Sequence, residues 1–325
     1  MKIAVLYQAH EPPAAGGLRK PMKPGGYRDS GADIAYCLRE HGTEVITPTA
    51  MPDLYNDLDW VFPDTVQGIR AALAAGADTL WLNTVLYAGH PIEQFTGMYI
   101  VGQRPSDAAR YDDKFAVNAA LLERGFPVVQ SQTIRADELY GGPFPCILKP
   151  IRGRGSQGVV RCGTPADFAK NRDSLLSAGI YGDMLMAEPY LPGQEITVSV
   201  FPDGTSLPIV ERFAQKSGIA PYNGDVPVTE NSRAVLHETE ALHTIRQACE
   251  QAVQTLELKG LVRIDCRAAA DGTYYMFDFN LKPNLTGAAR PHRINQNCLT
   301  MISAEAQGWT YFDLLRAMLD NRWHL

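Results

Sequence analysis

The sequence predicts an α/β fold in its N-terminal half and an α+β fold in its C-terminal half. Strand-like apolar runs alternate with helical stretches over about the first hundred residues, which is typical of an open parallel sheet covered by helices. Further along, two alternating segments flank an Asp-Gly pair, which indicates an antiparallel hairpin. The 325 residues exceed the usual size of one core, so two or three packed subdomains are expected.

Composition excludes several classes of partner. A net charge of −6 with mixed signs gives no basic surface for nucleic acid or an anionic membrane. No apolar run approaches the length of a membrane span, and the run Ile3–Tyr7 is too short for a signal peptide. The six cysteines lack metal-binding spacing, so buried reduced thiols are expected. We therefore expect a cytoplasmic protein that acts on small molecules.

The N-terminal sheet is predicted from five segments. The helical segments end at or just before a glycine, and the strands are short apolar runs. Ligands of open parallel sheets bind beyond the carboxyl ends of the strands, so the loop after the first strand is a candidate site. The segments are a strand at Ile3–Tyr7, a helix at Gly31–His41, a strand at Glu44–Ile46, a helix at Val66–Ala75 and a strand at Thr79–Val85.

The loop after the first strand, Gln8–Ser30, is long and rich in glycine and proline. Loops of this length are usually active-site lids or disordered excursions. The lid is the preferred interpretation, because the loop also carries basic side chains. These are Arg19, Lys20, Lys23 and Arg28.

The middle of the chain contains a candidate phosphate-binding loop. A helix is predicted at Lys114–Arg124 and a short strand at Pro145–Pro150, which contains Lys149. The segment Ile151–Gly158 that follows is too rich in glycine for a strand interior, but its backbone N–H groups suit phosphate binding. A hairpin turn that binds no ligand is the alternative.

The last third of the chain contains the predicted hairpin. Leu261–Arg267 and Thr273–Phe279 form its strands, after a strand at Ile196–Phe201 and a helix at Glu238–Leu256. Pairing of the two strands would bring together two carboxylates and an amide oxygen, which are ligands that Mg²⁺ accepts beside substrate phosphates. A solvated hairpin with exposed acidic residues is the alternative. The three ligands would be Asp265, Asp278 and Asn280.

Taken together, these residues resemble the ATP-grasp superfamily and, within it, the D-alanine:D-alanine ligases. Three spacings carry the resemblance: thirteen residues from Asp265 to Asp278, seven from Glu188 to Glu195 and nine from Lys149 to Gly158. The resemblance extends from the first strand to about Thr286 and implies an ATP-grasp fold. It would comprise an N-terminal domain at 1–107 and two α+β subdomains that clasp ATP, at 108–187 and 188–325.

The resemblance implies a role for each nucleotide-binding residue. Lysine ammonium groups act as point charges on polyphosphate, and a solvated surface lysine is the alternative for each. Glu195 would hold the ribose hydroxyls, with an exposed strand residue as its alternative. Lys114 and Lys149 would bind the phosphates, Gly155 and Ser156 would close over them, and the hinge beside adenine would be formed by Glu188, Pro189, Tyr190 and Leu191.

The resemblance also implies the metal and catalytic residues. Asp265, Asp278 and Asn280 would bind two Mg²⁺ ions, for which Mn²⁺ could substitute. Arg263 would stabilise the acyl phosphate and the tetrahedral oxyanion, with an ion pair to Asp265 as the alternative. Ser156 and Lys216 complete the implied catalytic group, Lys216 by its match to a lysine of the family's omega loop.

The chain departs from the family at substrate contacts. Asp278 stands where the family has a glutamate. The serine that binds the second substrate's carboxylate is missing from the segment after the hairpin, where Asn284 is a substrate candidate. Arg290, with His292 and Arg293 beside it, could bind a carboxylate instead or form a basic surface turn. In the first loop, Gly25 or a neighbour replaces a glutamate that binds an amino group, and Arg28 is a substrate candidate there. His90 is offset from the family's histidine and is interpreted as ordinary loop.

The predicted activity is ATP-dependent ligation of a carboxylate to an amine. An acyl phosphate would form from an amino acid and react with a second amino acid or another amine, releasing ADP and phosphate. The departures predict substrates other than two D-alanines, with a glutamyl or other dicarboxylic donor as one solution. The alternatives are an ATP-grasp phosphotransferase and a non-catalytic nucleotide-binding module. The resemblance also suggests a homodimer through the N-terminal domain.

Overall fold

The computed structural model describes residues 1–14, 22–153, 155–219 and 228–325. The first sheet is six-stranded, in the order β15-β5-β4-β1-β2 with β3 also on β1. Its first five strands in the chain pair in parallel, as the sequence predicts. Its early elements are β1 (Lys2–Tyr7), α1 (Arg28–Glu40), β2 (Glu44–Val45), β3 (Phe62–Pro63), α2 (Val66–Ala74), β4 (Thr79–Asn83) and β5 (Tyr99–Val101).

The end of the first loop differs from the prediction. A 3₁₀ turn occupies Pro24–Tyr27, and α1 begins at Arg28, so the loop ends before Ser30. Gly26 lies so close to β1 that a Cβ there would be 1.8 Å from the Gln8 carbonyl oxygen. Glycine is therefore required at this contact. Arg19 and Lys20 of the predicted lid lie outside the described residues.

A second, four-stranded antiparallel sheet has the order β6-β9-β7-β8. The predicted boundary at 187/188 falls inside its strand β9, whose last residue, Pro189, pairs with Cys146. The chain therefore leaves this sheet after residue 189. The elements of this region are α3 (Pro105–Tyr111), α4 (Lys114–Leu122), β6 (Gln132–Ile134), β7 (Cys146–Pro150), β8 (Val160–Cys162), α5 (Pro165–Ser177) and β9 (Leu185–Pro189).

A third, five-stranded antiparallel sheet contains the predicted hairpin, in the order β12-β11-β10-β13-β14. The hairpin pairing is confirmed, with a register shift between Asp265 and Cys266. The helix α7 packs against its apolar face. The elements are β10 (Glu195–Val200), β11 (Val210–Arg212), α6 (Val228–Asn231), β12 (Ser232–Ala234), α7 (Glu240–Thr255), β13 (Val262–Ala268) and β14 (Tyr274–Asn280).

The C-terminal segment returns to the first sheet. It forms α8 (Leu299–Ala306), α9 (Tyr311–Asp320) and β15 (Trp323–His324), and β15 pairs antiparallel to β5. The predicted unit 188–325 is therefore not self-contained, because α9 shares a core with α1. In the ranges that the structure describes, no helix is long and apolar enough to cross a membrane.

The central strand β1 shows how the sequence builds this first sheet. Its residues alternate between two cores: Ile3 and Val5 pack with α1 and α9, while Ala4 and Leu6 pack with α2. All four side chains are fully buried, as expected for a parallel strand covered on both faces. The strand ends and the loop that follows are thereby held at one edge of the sheet.

Candidate active site

One face of the third sheet is polar and carries most of the predicted site. Along β13, Arg263 and Asp265 alternate with apolar residues that pack on α7. Asp265 lies opposite Thr197 on β10 and Asp278 on β14, and Arg263 lies opposite Asn280. Directly opposed residues of antiparallel strands point to the same face. The structure therefore brings Asp265, Asp278 and Asn280 together, as the spacing predicts.

A bulge makes this convergence possible. On the turn side Cys266 pairs with Met276, whereas the next pair along is Asp265 with Asp278. Phe277 therefore has no residue opposite it. If the register near the turn continued without this shift, Asp278 would lie opposite Ile264 and point to the apolar face. The Phe277 carbonyl oxygen instead accepts a hydrogen bond from Lys149 Nζ at 3.2 Å. The bulge therefore also links the third sheet to the second.

Asp265 is held by three donors. Thr197 Oγ1 donates to its Oδ1 at 2.7 Å, and Asn280 Nδ2 donates to its Oδ2 at 3.1 Å. Arg263 Nε lies 3.2 Å from Oδ1, so the ion pair considered as an alternative role for Arg263 is present. Burial lowers the pKa of Arg263, but the neighbouring Asp265 outweighs it and raises that pKa above its ordinary value. Arg263 is thus a fixed cation.

Asp278 forms an ion pair with Lys114, the first residue of α4. Burial tends to raise the pKa of Asp278, but Lys114 and Lys149 lower it below the ordinary value. Asp278 is therefore an ionised carboxylate at neutral pH. Lys114 crosses from the helix to the third sheet, which excludes the solvated-lysine alternative for it.

The donor set fits Mg²⁺. Within the described part of the chain, no group of three or more histidine, cysteine or acidic residues is placed to bind a metal. Asp265 and Asp278 supply two carboxylates, and Asn280 supplies an amide oxygen. Mg²⁺ accepts this kind of incomplete oxygen set, because substrate phosphates and water complete its octahedron. The assignment of these three residues as metal ligands remains a prediction.

Lys149 and Glu188 form a buried ion pair on the second sheet. Lys149 Nζ lies 2.6 Å from Glu188 Oε1, while Glu188 Oε2 is buried and has no hydrogen-bond partner in the described part of the chain. Burial raises the pKa of Glu188, and Lys149 opposes that shift. In this arrangement Glu188 holds the ammonium group of Lys149 in place; its place in the hinge segment remains a prediction.

A cavity of about 100 Å³ lies between the second and third sheets. Described residues of the candidate phosphate-binding loop contribute to its wall. Two of them have positive φ, Gly155 at 56° and Ser156 at 65°. Such a conformation is uncommon for serine; Arg154 lies outside the described residues. All predicted nucleotide-binding residues line this cavity: Lys114, Lys149, Gly155, Ser156, Glu188, Pro189, Tyr190, Leu191 and Glu195.

Glu195 is buried in this cavity wall, which excludes the exposed-strand alternative. Gln215 Nε2 donates to its Oε2 at 2.7 Å, and Arg267 Nη1 lies 3.6 Å from the same oxygen. Arg212 Nη1 lies 3.7 Å from Oε1. Burial raises the pKa of Glu195 to about 7, although the two arginines act in the opposite direction.

A larger cavity, of about 620 Å³, opens beside the carboxyl ends of β4 and β5. Lys282 is in its wall, where Nζ donates to Asn83 Oδ1 at 3.1 Å and lies 3.5 Å from the centre of the Tyr27 ring. Tyr27 has a φ of 65°, and Asn83 Nδ2 donates to its carbonyl oxygen at 2.9 Å. Arg263 and Asn280 also line this cavity.

The predicted substrate residues have different outcomes. Asn284 lines the larger cavity, where its Oδ1 accepts from the Thr286 backbone N–H and hydroxyl. Arg28 is about half exposed, with Nε 3.8 Å from Asp57 Oδ2. It is not among the described residues that line either cavity.

Arg290 is not a substrate residue. It is completely buried, with Nε 2.8 Å from Asp33 Oδ1 and Nη2 2.8 Å from Asp57 Oδ1. Its Nη1 and Nη2 also donate hydrogen bonds to the backbone carbonyl oxygens of Leu54 and Asp29. The prediction was wrong because the segment after the hairpin packs onto α1, where Arg293 also pairs with Asp33.

Lys216 and His90 also differ from their predictions. Lys216 is exposed in a turn, with its backbone hydrogen-bonded in both directions to Ile219, and it lines neither cavity among the described residues. Residues 220–227, which complete its segment, lie outside the described residues. His90 is fully buried rather than an ordinary loop residue, with Nε2 3.3 Å from Asp64 Oδ2.

Sequence reasoning missed several polar residues of the two cavities. Thr197 follows Glu195 by two positions in a predicted strand, so alternation could have placed both on one face. Arg212 and Arg267 lie opposite Glu195 on its two neighbouring strands, and only the sheet order reveals that. Asn83 ends β4 of the first sheet, whereas Lys282 lies in the segment that follows β14 of the third sheet, and no local pattern connects them.

Comparisons with known proteins agree with this architecture. Residues 118–320 match the model of the family described as D-ala D-ala ligase C-terminus. The D-alanine–D-alanine ligase of Novosphingobium aromaticivorans is 28% identical over 223 residues, 64% of this chain and 66% of that protein. That of Anaeromyxobacter dehalogenans is 29% identical over 209 residues, 61% of this chain and 60% of that protein. These alignments thus cover slightly less than two thirds of each relative.

Solved structures share the fold. The D-alanine–D-alanine ligase from Bacillus anthracis, complexed with ATP, superimposes with a TM-score of 0.69 at 18% identity, covering 99% of this chain and 97% of that one. The VanG D-Ala:D-Ser ligase from Enterococcus faecalis gives 0.65 at 13% identity, covering 98% of each chain. The predicted ATP-grasp fold is confirmed.

Proposed function

Since this chain belongs to the D-alanine:D-alanine ligase family, we propose that it is an ATP-dependent carboxylate–amine ligase. One observation carries the proposal. Lys114, Asp278 and residues of the candidate phosphate-binding loop line both cavities. The two cavities therefore meet at the ion pair between Lys114 and Asp278. A nucleotide in the smaller cavity and a substrate in the larger one would therefore meet where charged groups are concentrated, as phosphoryl transfer requires.

The reaction needs no side-chain nucleophile. A substrate carboxylate oxygen attacks the γ-phosphorus, the bond to the β-phosphate oxygen breaks, and ADP leaves. The amine nitrogen then attacks the acyl carbon, phosphate leaves, and the nitrogen loses a proton, which gives an amide. Arg263 borders the larger cavity as a fixed cation, where it stabilises the negative charge that develops on the acyl oxygen.

Lys114 and Lys149 are the phosphate-binding cations in this proposal. Both are held by carboxylates, Asp278 and Glu188, so their ammonium groups are positioned before the nucleotide binds. Such prior positioning lowers the cost of ordering flexible lysines. Asp265, Asp278 and Asn280 would hold two Mg²⁺ ions, which neutralise phosphate charge when bound.

The substrates, in this proposal, are not two D-alanines, and the donor carries a second carboxylate. The larger cavity supports this, because its described lining contains four basic and two acidic side chains. Lys282 is held in its wall by Asn83 and the Tyr27 ring, which positions its ammonium charge to attract an anion. The six charged residues are Lys23, Lys114, Arg263, Lys282, Asp112 and Asp278.

The test is ADP release with Mg²⁺ and ATP across pairs of L- and D-amino acids and amines, followed by mass spectrometry. We expect ADP only where one partner is dicarboxylic, with a product lighter by one water than the two substrates together. A dipeptide from D-alanine alone would overturn the substrate assignment. A phosphorylated single substrate would establish a phosphotransferase, and ATP binding without any turnover would favour a non-catalytic module.

Lys282→Met tests the second carboxylate directly. A hydrogen bond to a charged group is worth about 1.5–3 kcal/mol, so we expect the donor's KM to rise about 10- to 100-fold while the KM for ATP stays within about twofold. Lys170→Met, at an exposed position on α5, is the matched control and should behave as wild type. An unchanged donor KM in Lys282→Met would rule out this contact.

A further inference from the structure

Tyr27 has a backbone conformation that a bulky side chain disfavours. It immediately precedes α1 and has a φ of 65°, in the left-handed region where large residues are rarely found. The two residues before it are Gly25 and Gly26, with φ of 78° and 57°, and glycine adopts this region without steric strain. A tyrosine therefore stands where a third glycine would be easier to accommodate. Residues held in such strain cluster at ligand-binding sites.

The surrounding contacts hold Tyr27 in this conformation. Its carbonyl oxygen accepts hydrogen bonds from Asn83 Nδ2 at 2.9 Å and from Ser30 Oγ at 3.2 Å. Just before it, the Gly26 carbonyl oxygen accepts from the Gln8 backbone N–H at 2.9 Å. A strained residue persists only where its surroundings over-determine its conformation. Here the ends of two neighbouring strands, β1 and β4, hold the turn.

The ring of Tyr27 lies against Lys282. Lys282 Nζ is 3.5 Å from the ring centre and donates to Asn83 Oδ1 at 3.1 Å. The amide of Asn83 is therefore used at both ends, and only one orientation of it fits, because an ammonium only donates and a carbonyl oxygen only accepts. The face of an aromatic ring attracts a cation. Ring, amide and ammonium thus form one unit.

This unit forms part of the wall of the larger cavity, which Tyr27, Asn83 and Lys282 all line. A second cation of that wall, Lys23, lies 5.2 Å from the centre of the same ring. Its Nζ is 3.4 Å from Asp29 Oδ2. Two ammonium groups beside one ring repel each other, so a further anion beside the ring would be attracted to both.

We propose that Tyr27 is a positioning residue for substrate selection: its ring holds the Lys282 ammonium in the cavity wall, where that ammonium attracts the second carboxylate of the donor. The inference rests on the proposed function, which assigns a dicarboxylic donor to the larger cavity. It accounts for a tyrosine at a position that suits glycine. Without the ring, Lys282 keeps its charge but is less ordered, and ordering it on binding reduces the affinity for an anion.

The experiment measures the binding of glutamate and norvaline, each in its D- and L-form, by titration calorimetry with Mg²⁺ and a non-hydrolysable ATP analogue present. Glutamate has a carboxylate where norvaline has a methyl group, so the ratio of their Kd values reports the second carboxylate. For the wild type we expect one form of glutamate to bind at least about tenfold more tightly. In Tyr27→Asn, where asparagine tolerates the left-handed backbone but lacks the ring, that preference should fall at least about threefold.

Three further variants separate positioning from a general structural role. Tyr27→Phe keeps the ring and should keep the preference within about twofold of the wild type. Because Tyr27 acts through Lys282, adding Tyr27→Asn to Lys282→Met should change the preference by less than about twofold. Tyr55→Asn is the matched control, since Tyr55 is exposed and is not among the described residues that line either cavity. All of these variants should bind the ATP analogue as the wild type does.

An undiminished glutamate preference in Tyr27→Asn, or in Tyr27→Gly if the first variant does not fold, would overturn the inference and leave the proposed function intact. Loss of the preference in Tyr27→Phe would do the same, as would a further loss when Tyr27→Asn is added to Lys282→Met. Equal binding of glutamate and norvaline by the wild type, or binding of neither, would overturn the dicarboxylic donor, and this inference with it.

Discussion

Lys149 Nζ lies 2.6 Å from Glu188 Oε1, and both side chains are buried. The pair joins β7 to β9, and the same ammonium donates to the Phe277 carbonyl oxygen on β14. One lysine therefore connects the two sheets that enclose the smaller cavity. It also sets the position of a cation that, in the proposed function, contacts phosphate.

Removing one partner of this ion pair should destabilise the protein more than replacing both partners by uncharged residues. In Lys149→Met, Glu188 remains buried without its cation, and loss of one partner of such a pair costs about 3–5 kcal/mol. In Lys149→Met/Glu188→Gln, no buried charge remains, so we expect most of that loss to be recovered. Urea unfolding measures both. Equal destabilisation of the single and double variants would contradict the interpretation, and neither variant should regain ATP turnover.

Asp278→Asn should separate chemistry from nucleotide binding. The substitution removes a carboxylate that pairs with Lys114 and, in the proposal, binds Mg²⁺. We expect kcat to fall at least about 100-fold, the scale typical of removing one group that stabilises developing charge. ATP binding through the hinge should persist, as measured by titration calorimetry. Unchanged turnover would refute the metal assignment of Asp278.

Glu195 should make stability depend on pH. Its pKa in the folded protein is about 7, above the ordinary value of 4.5, so the folded state binds the proton more tightly. The contribution of Glu195 to stability is therefore complete below pH 4.5 and is lost as the pH rises through 7. From pH 5 to 8 the loss is roughly 2–3 kcal/mol.

The measurement is urea unfolding at both pH values in the wild type and in Glu195→Gln, which cannot ionise. Other titrating groups are common to both proteins, so the difference between their pH dependences isolates Glu195. We expect the free energy of unfolding of the wild type to fall by more than that of the variant. Parallel profiles would show that burial does not raise this pKa.

Arg290→Met should reduce stability without altering substrate choice. Arg290 and Asp33 are both completely buried, and removing the arginine leaves the carboxylate with Arg293 alone. We expect a loss of about 3–5 kcal/mol in the free energy of unfolding. The relative kcat/KM values for different substrates should stay as in the wild type. A selective rise in the KM of one substrate would restore Arg290 as a binding residue.

Short-range residue patterns account for the local geometry of the site. Alternation along β13 put Arg263 and Asp265 on one face, because successive side chains of a strand point in opposite directions. The Asp-Gly turn indicated a hairpin that brings Asp265 and Asp278 together, and the structure confirms that hairpin. Strand and helix positions in the first sheet followed in the same way from short-range periodicity, which depends only on backbone geometry.

The contacts between distant segments could not be predicted from these local patterns. The bulge at Phe277 shifts the strand register so that Asp278 lies opposite Asp265, a pairing that the turn alone would not give. Arg290 reaches Asp33 across 257 positions of the chain, and Lys282 reaches Asn83 across 199. The buried Nε and Nη2 of Arg212 have no hydrogen-bond partner among the described residues, which only the position of β11 beside β10 reveals. Such contacts follow from the packing of whole elements, and no spacing within a single segment contains that information.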